Sequence, residues 1–167
     1  MLNRITDLSR CRCYWLALIL LGITMESVAL FYQYQLDYGP CVLCIHVRIW
    51  VMAMIMIAIV GFLCRHSPVI RNITHFGVLI SAIGLFERSW KTLGVERGWI
   101  IEECSMDSGL PSWFALDQWF PHMFEPWEPC GYTPELLFGI TMAEGLILLS
   151  AALTVSALVL FIASFRR

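Results

Sequence analysis

The feature that most limits what this chain can fold into is the length of its apolar runs. Residues 14–32 carry one charge, Glu26, and residues 45–63 carry one, Arg48, with His46 beside it. Residues 73–86 carry none and can be stretched past Glu87 and Arg88 to position 90, and residues 145–165 carry none and extend back across Glu144. A helix that crosses the hydrocarbon core needs about 20 mostly apolar residues. The sequence therefore predicts an all-α membrane protein, a bundle of four transmembrane helices at about 14–32, 45–63, 73–90 and 140–163, forming a single membrane domain over 1–167. Composition agrees. Only 14% of residues are charged and 59% are hydrophobic, whereas a soluble domain of this size carries about 25% charged residues. The lipid bilayer, and not nucleic acid, is the expected surroundings.

Basic residues precede the first run, as in a signal peptide. The run is longer than the 7–15 residues of such a core and no small-x-small cleavage site follows, so it is read as a membrane helix. Orientation follows from the basic residues near helix ends. Arg4, Arg10 and Arg12 precede the first span, Arg65 and Arg71 lie between the second and third, and Arg166 and Arg167 end the chain. That side is expected to be cytoplasmic, with both termini inside. The opposite side receives a short connection, 33–40, and a long loop, 92–135, whose single basic residue is Arg97.

The seven cysteines sort by compartment. Cys11, Cys13 and Cys64 fall at the cytoplasmic ends, where thiols stay reduced, and are read as incidental small residues. Cys41, Cys44, Cys104 and Cys130 fall on the outer side, an even number, enough for two disulfides. A purely structural staple suits Cys104 and Cys130, in a loop rich in Pro, Gly and Trp. It suits Cys41 and Cys44 poorly, because closing so small a ring removes little chain entropy. Zinc is disfavoured, since Cys104 and Cys130 lack the close spacing of structural zinc ligands, and no metal is expected.

Pro40 precedes Cys41 where a helix start accepts proline. Both cysteines of the pair then face the unpaired N–H groups and positive dipole end of the first turn, an environment that lowers a thiol pKa. Arg48 lies four residues after Cys44 on the same helix face, and its side chain leans back towards the N-terminus. A charge at that depth is by default functional; the bland alternative is a side chain snorkelling to the interface. Glu26 and Glu144 are best read as polar contacts between helices, with a proton route as the functional alternative.

A redox pair must pass its electrons on. The sequence has no dinucleotide fingerprint, no iron–sulfur spacing and no haem-attachment motif. By elimination, the acceptor is a molecule dissolved in the bilayer, a lipid quinone whose carbonyl oxygens suit Arg48. "PCVLC" opening the second span, Arg48 after it, "MESVALFYQYQ" in the first span, "LDQWFP" before Cys130 and the two-cysteine outer loop resemble the inner-membrane disulfide bond formation protein B family of Gram-negative bacteria, over nearly the whole chain. The periplasm is kept oxidising by that system.

The resemblance implies a multi-pass inner-membrane oxidoreductase with periplasmic cysteines, bridged at rest as 41–44 and 104–130. A periplasmic thioredoxin-fold oxidase of the disulfide bond formation protein A type would be its partner, attacking at Cys104. Cys130 would pass the electrons to Cys41, and Cys44 would deliver them to ubiquinone (or menaquinone) beside Arg48. Trp113, Phe114, Leu116, Trp119 and Phe120 are expected on the apolar side of a short helix at the interface, or else in a packed loop core. Many members of the family carry a histidine near the outer end of the third span. This chain has "LFERSWKTLGVERG" there, so Arg88 or Lys91 is the candidate substitute. A non-enzymatic four-span scaffold with a stapled loop is the alternative of a different class. A vitamin K epoxide reductase type would be expected to carry its cysteine pair late in the chain.

Overall fold

The computed structural model describes residues 11–64, 66–101, 108–137 and 139–165. Cys104 and the basic residues Arg4, Arg10, Arg65, Arg166 and Arg167 lie outside the described residues.

Four long helices form the bundle: α1 (Arg12–Gln35), α2 (Val42–Leu63), α3 (Pro68–Glu96) and α6 (Met142–Phe165). All four are long and apolar enough to cross a membrane. Between α3 and α6 lie a 3₁₀ turn (Ser112–Phe114), two short helices, α4 (Leu116–Trp119) and α5 (Pro121–Phe124), and an antiparallel hairpin of β1 (Glu135–Leu137) and β2 (Ile140–Thr141).

The third helix is much longer than its uncharged run. Proline at its first turn sets the start, and Arg71, Glu87, Arg88, Lys91 and Glu96 all lie within it. Arg88 and Lys91 both pair with Glu87, at 3.0 and 3.1 Å, so charge at its far end is accommodated on the helix's own surface.

α3 packs against α2 and α6, and α2 also packs against α1. Their shared core includes Trp15, Val51, Met54, Ala58, Val78, Ala82, Leu85 and Ala157. Leu20, Met56, Ile73, Leu148 and Val155 are exposed, so the helices are apolar on their outer faces as well. That pattern belongs to a bundle whose surroundings are hydrocarbon. Two close approaches depend on a missing side chain, as is common between membrane helices. A Cβ on Gly61 would lie 2.4 Å from the Trp15 ring, and one on Gly84 would lie 2.4 Å from the Trp50 ring.

The start of α6 corrects one expectation. Glu144 is not a contact buried between spans. The Glu144 N–H donates to Thr141 Oγ1 at 3.3 Å and the Thr141 N–H donates to the Glu144 carboxylate at 3.2 Å, a reciprocal cap. The same carboxylate pairs with Arg97, just beyond α3. Glu96 accepts a hydrogen bond from Thr133 Oγ1 at 2.6 Å, which ties the loop before β1 to the same end.

Candidate active site

α1 ends at Gln35, and the chain turns through Asp37, a non-glycine residue at φ 54°. α2 then begins behind Gly39 and Pro40. Cys41 is its N-cap: the sulfur accepts the Cys44 N–H at 3.3 Å. The two Sγ atoms lie 2.6 Å apart, and both are free thiols. The resting bridge expected for this pair is absent from this structure. The spacing is nonetheless that of a pair set to close, because one helical turn and a cap bond hold the two sulfurs together. The Cys41 thiol is pushed up from its ordinary value by its hydrogen bond to the Cys44 sulfur and by burial. Of two adjacent sulfurs that share one proton, Cys41 is the one that keeps it.

Arg48 is buried, 6% exposed, and does not hydrogen-bond the sulfur. Its Nη1 donates to Gln33 Oε1 at 2.6 Å and to the Met123 carbonyl at 3.0 Å, and its Nη2 donates to the Ala29 carbonyl at 3.3 Å. Gln33, 1% exposed, donates in turn from Nε2 to the His122 carbonyl at 2.8 Å, and Tyr34 donates to the same carbonyl at 2.7 Å. The guanidinium therefore joins α1, α2 and α5. A snorkelling arginine would keep its head in water; this one is enclosed and hydrogen-bonded on two sides. Three of its five N–H donors are used.

The loop is fastened over the cysteine pair. The Trp127 N–H donates to the Pro40 carbonyl at 3.0 Å, and a Cβ on Gly39 would lie 2.6 Å from Trp127 Cβ. That contact places the segment leading to Cys130 against the residue before Cys41. Cys130 is disulfide-bonded. His46, on another face of α2, meets the Ser108 carbonyl at 3.0 Å, and Ser108 Oγ donates to Asp117 at 2.9 Å.

Trp113, Trp119 and Phe120 are 77%, 57% and 58% exposed. They are not a loop core, and Phe124 is the aromatic side chain buried in this segment. The single short helix expected here is divided: Trp113 and Phe114 fall in the 3₁₀ turn, Leu116 and Trp119 in α4, and Phe120 caps α4 before Pro121 starts α5.

Between α1 and α6, which share little direct packing, lies a cavity of about 490 Å³. Cys44, Val47, Arg48 and Val51 line it from α2; Met25, Glu26, Val28 and Ala29 from α1; Met142, Gly145, Leu146 and Leu149 from α6. α3 contributes Thr92, while Arg88 and Lys91 are not among the lining residues. Neither candidate substitute for a third-span histidine reaches the cavity. An apolar wall with a few convergent polar groups suits a flat, lipid-soluble molecule with carbonyl oxygens. Arg48 has donors left for such an oxygen, Cys44 lines the same wall, and both carboxyl oxygens of Glu26 are buried without a hydrogen-bond partner among the described residues.

The comparisons with known proteins show the family. The family model for disulfide bond formation protein DsbB matches residues 11–160. The chain belongs to the disulfide bond formation protein B family. Disulfide bond formation protein B 2 of Pseudomonas aeruginosa is 31% identical over 134 residues, 79% of each chain. Disulfide bond formation protein B of Shewanella frigidimarina is 31% identical over 138 residues, 82% of each. The Photorhabdus laumondii protein of that name is 30% identical over 169 residues, covering 100% of this chain and 99% of its own. Disulfide bond formation protein B is thus the frame for this four-span membrane protein, an oxidoreductase by family.

The sequence reading named Cys41, Cys44, Arg48, Cys104 and Cys130; Cys41, Cys44 and Arg48 stand together at the start of α2, Trp127, three residues before Cys130, meets Pro40, and Cys104 lies outside the described residues. It missed Gln33, the carbonyls of His122 and Met123, and the α1–α6 cavity. A glutamine closing an apolar run was the available signal for the first of these.

Proposed function

We propose that this chain is a quinone-dependent thiol oxidase of the bacterial inner membrane, which reoxidises a periplasmic thioredoxin-fold dithiol protein of the disulfide bond formation protein A type. The observation that carries this reading is the cavity that brings Cys44 and Arg48 to one apolar wall. The distribution of arginines supports cytoplasmic termini, and a disulfide-bonded Cys130 fits an oxidising compartment on the opposite side.

Cys104 and Cys130 would form the entry pair, as the resemblance implies, and Cys130 is disulfide-bonded. A thiolate of the incoming protein attacks Cys104 and displaces Cys130. Cys130 would then resolve through Cys41, a step supported by the Trp127–Pro40 hydrogen bond, which sets the chain three residues before Cys130 against the residue before Cys41. Each exchange breaks one S–S bond and forms another. Cys44 and Arg48 would hold ubiquinone or menaquinone in the cavity, Arg48 through its remaining donors. When bound, the quinone supplies the two-electron sink that renews the Cys41–Cys44 bridge. The test is purification in detergent, followed by assay of quinone reduction driven by a reduced thioredoxin-fold dithiol protein. Turnover that requires both proteins is the expected result. No turnover with either quinone would leave a disulfide-stapled scaffold as the better reading.

A further inference from the structure

Converting the Cys41–Cys44 dithiol into a disulfide releases two protons and two electrons. Reducing a quinone to a quinol takes up both. Arg48 cannot supply a proton, because a guanidinium stays charged. Glu26 belongs to the same wall of the cavity as Cys44 and Arg48. It lies one turn deeper on α1 than Ala29, whose carbonyl Arg48 takes, on the face that also carries Gln33. It is nine residues from the end of α1, roughly 14 Å into the bundle at 1.5 Å per residue.

A purely structural carboxyl at that depth would have a partner, because an unpaired polar group in hydrocarbon is costly. Glu26 has no hydrogen-bond partner among the described residues: both oxygens are buried and unbonded, and although the Arg48 charge is near enough to act on it, the hydrogen bonds of Arg48 go to Gln33, Met123 and Ala29. A carboxyl left so is stable as the neutral acid, which is a proton donor. The other titratable side chains of the lining, Tyr38, Glu128 and Tyr132, belong to the loops at the mouth, and Tyr32 is occupied with the Glu135 carbonyl at 3.1 Å.

We propose that Glu26 is a catalytic residue of acceptor reduction, giving its proton to a quinone oxygen and being returned to the acid by a proton released from the cysteine pair. The balance closes: two S–H bonds break, one S–S bond and two O–H bonds form, and Glu26 ends as it began. This rests on the quinone reading above.

The test uses the full-length protein in detergent, with Glu26→Gln, which keeps size and polarity but cannot deliver a proton, and Glu26→Asp, which keeps the acid. In Glu26→Gln, kcat for quinone reduction should fall about a hundredfold or more, in the range of a lost general acid. Quinone binding, titrated without turnover, should change less than threefold, and thiol exchange between the partner and Cys130 should keep its rate. Glu26→Asp should recover part of kcat. Infrared difference spectra of the parent should show a protonated-carboxyl stretch that shifts in D₂O and on adding quinone, and that is absent from Glu26→Gln. A full kcat in the glutamine variant, or a raised KM with unchanged kcat, overturns the assignment while leaving the quinone reading intact. Lack of the carboxyl band in the parent overturns it without any variant. A parent that reduces no quinone removes the quinone reading, and this assignment with it.

Discussion

Gln33→Leu separates two roles that Arg48 combines. The substitution keeps side-chain volume in a position only 1% exposed and removes two hydrogen bonds. One is the 2.6 Å bond from the Arg48 guanidinium, and the other is the 2.8 Å bond to the His122 carbonyl. A bond to a charged group is worth about 1.5–3 kcal/mol and a neutral one about 0.5–1.5 kcal/mol. Arg48 keeps the Met123 and Ala29 carbonyls and Tyr34 keeps His122, so the loss falls at the lower end, about 2 kcal/mol. That is roughly thirtyfold in the opening equilibrium of α5 away from Gln33 and Arg48. Amide hydrogen exchange in detergent reads it directly. The N–H groups of Phe124 and Glu125, bonded to the Phe120 and Pro121 carbonyls, should exchange roughly thirtyfold faster if opening controls them, while α3 stays unchanged. Quinone KM should rise less than in an Arg48 variant, because the guanidinium is still present. Unchanged exchange at Phe124 and Glu125 would show that the Gln33 link does not fasten the loop, and the account of Arg48 as a junction of three helices would fail.

Arg48→Met should raise the quinone KM roughly ten- to a hundredfold, for loss of a charge-assisted bond of about 1.5–3 kcal/mol, with Lys rescuing only partly because it lacks the planar fork; quinone titration of partner oxidation measures both. Cys130→Ser should accumulate the mixed disulfide at Cys104, whereas Cys104→Ser should leave it scarce; non-reducing gels after mixing with partner distinguish them. Gly84→Ala forces a methyl group into the Trp50 ring and should cost about 1–3 kcal/mol of stability as overpacking, read by denaturant titration of the helical signal. Replacing Cys11, Cys13 and Cys64 together should leave turnover near the parent value, tested in the same coupled assay.

The four spans were legible because apolar run length is a local property. Their ends were less so. α3 runs from Pro68 to Glu96, well past its uncharged stretch, since surface pairs such as Lys91 with Glu87 let charged residues stay helical. The Thr141–Glu144 cap was written in the sequence as Thr-x-x-Glu, but the apolar residues on both sides of Glu144 made it read as part of a span. Cys41, Cys44 and Arg48 could be placed together because they share two turns of one helix. Their surroundings could not. Gln33 meets Arg48 from another helix, the His122 and Met123 carbonyls come from the loop, and the cavity exists because α1 and α6 stand apart. Glu26 shows the same limit: its position was plain, but its lack of a hydrogen bond among the described residues depends on the packing of the whole bundle.

The central claim is that electrons leave through the Cys41–Cys44 pair into a quinone, and a single-turnover experiment tests it most directly. The protein is prepared with that pair reduced, mixed anaerobically with quinone in detergent, and quenched with acid and a thiol-alkylating reagent. Quinol should appear in equimolar amount with a new Cys41–Cys44 disulfide, at the same rate, and with Cys130 unchanged in its redox state. Quinol formed while Cys41 and Cys44 remain alkylatable, or a Cys41–Cys44 bridge formed without quinol, would contradict the account.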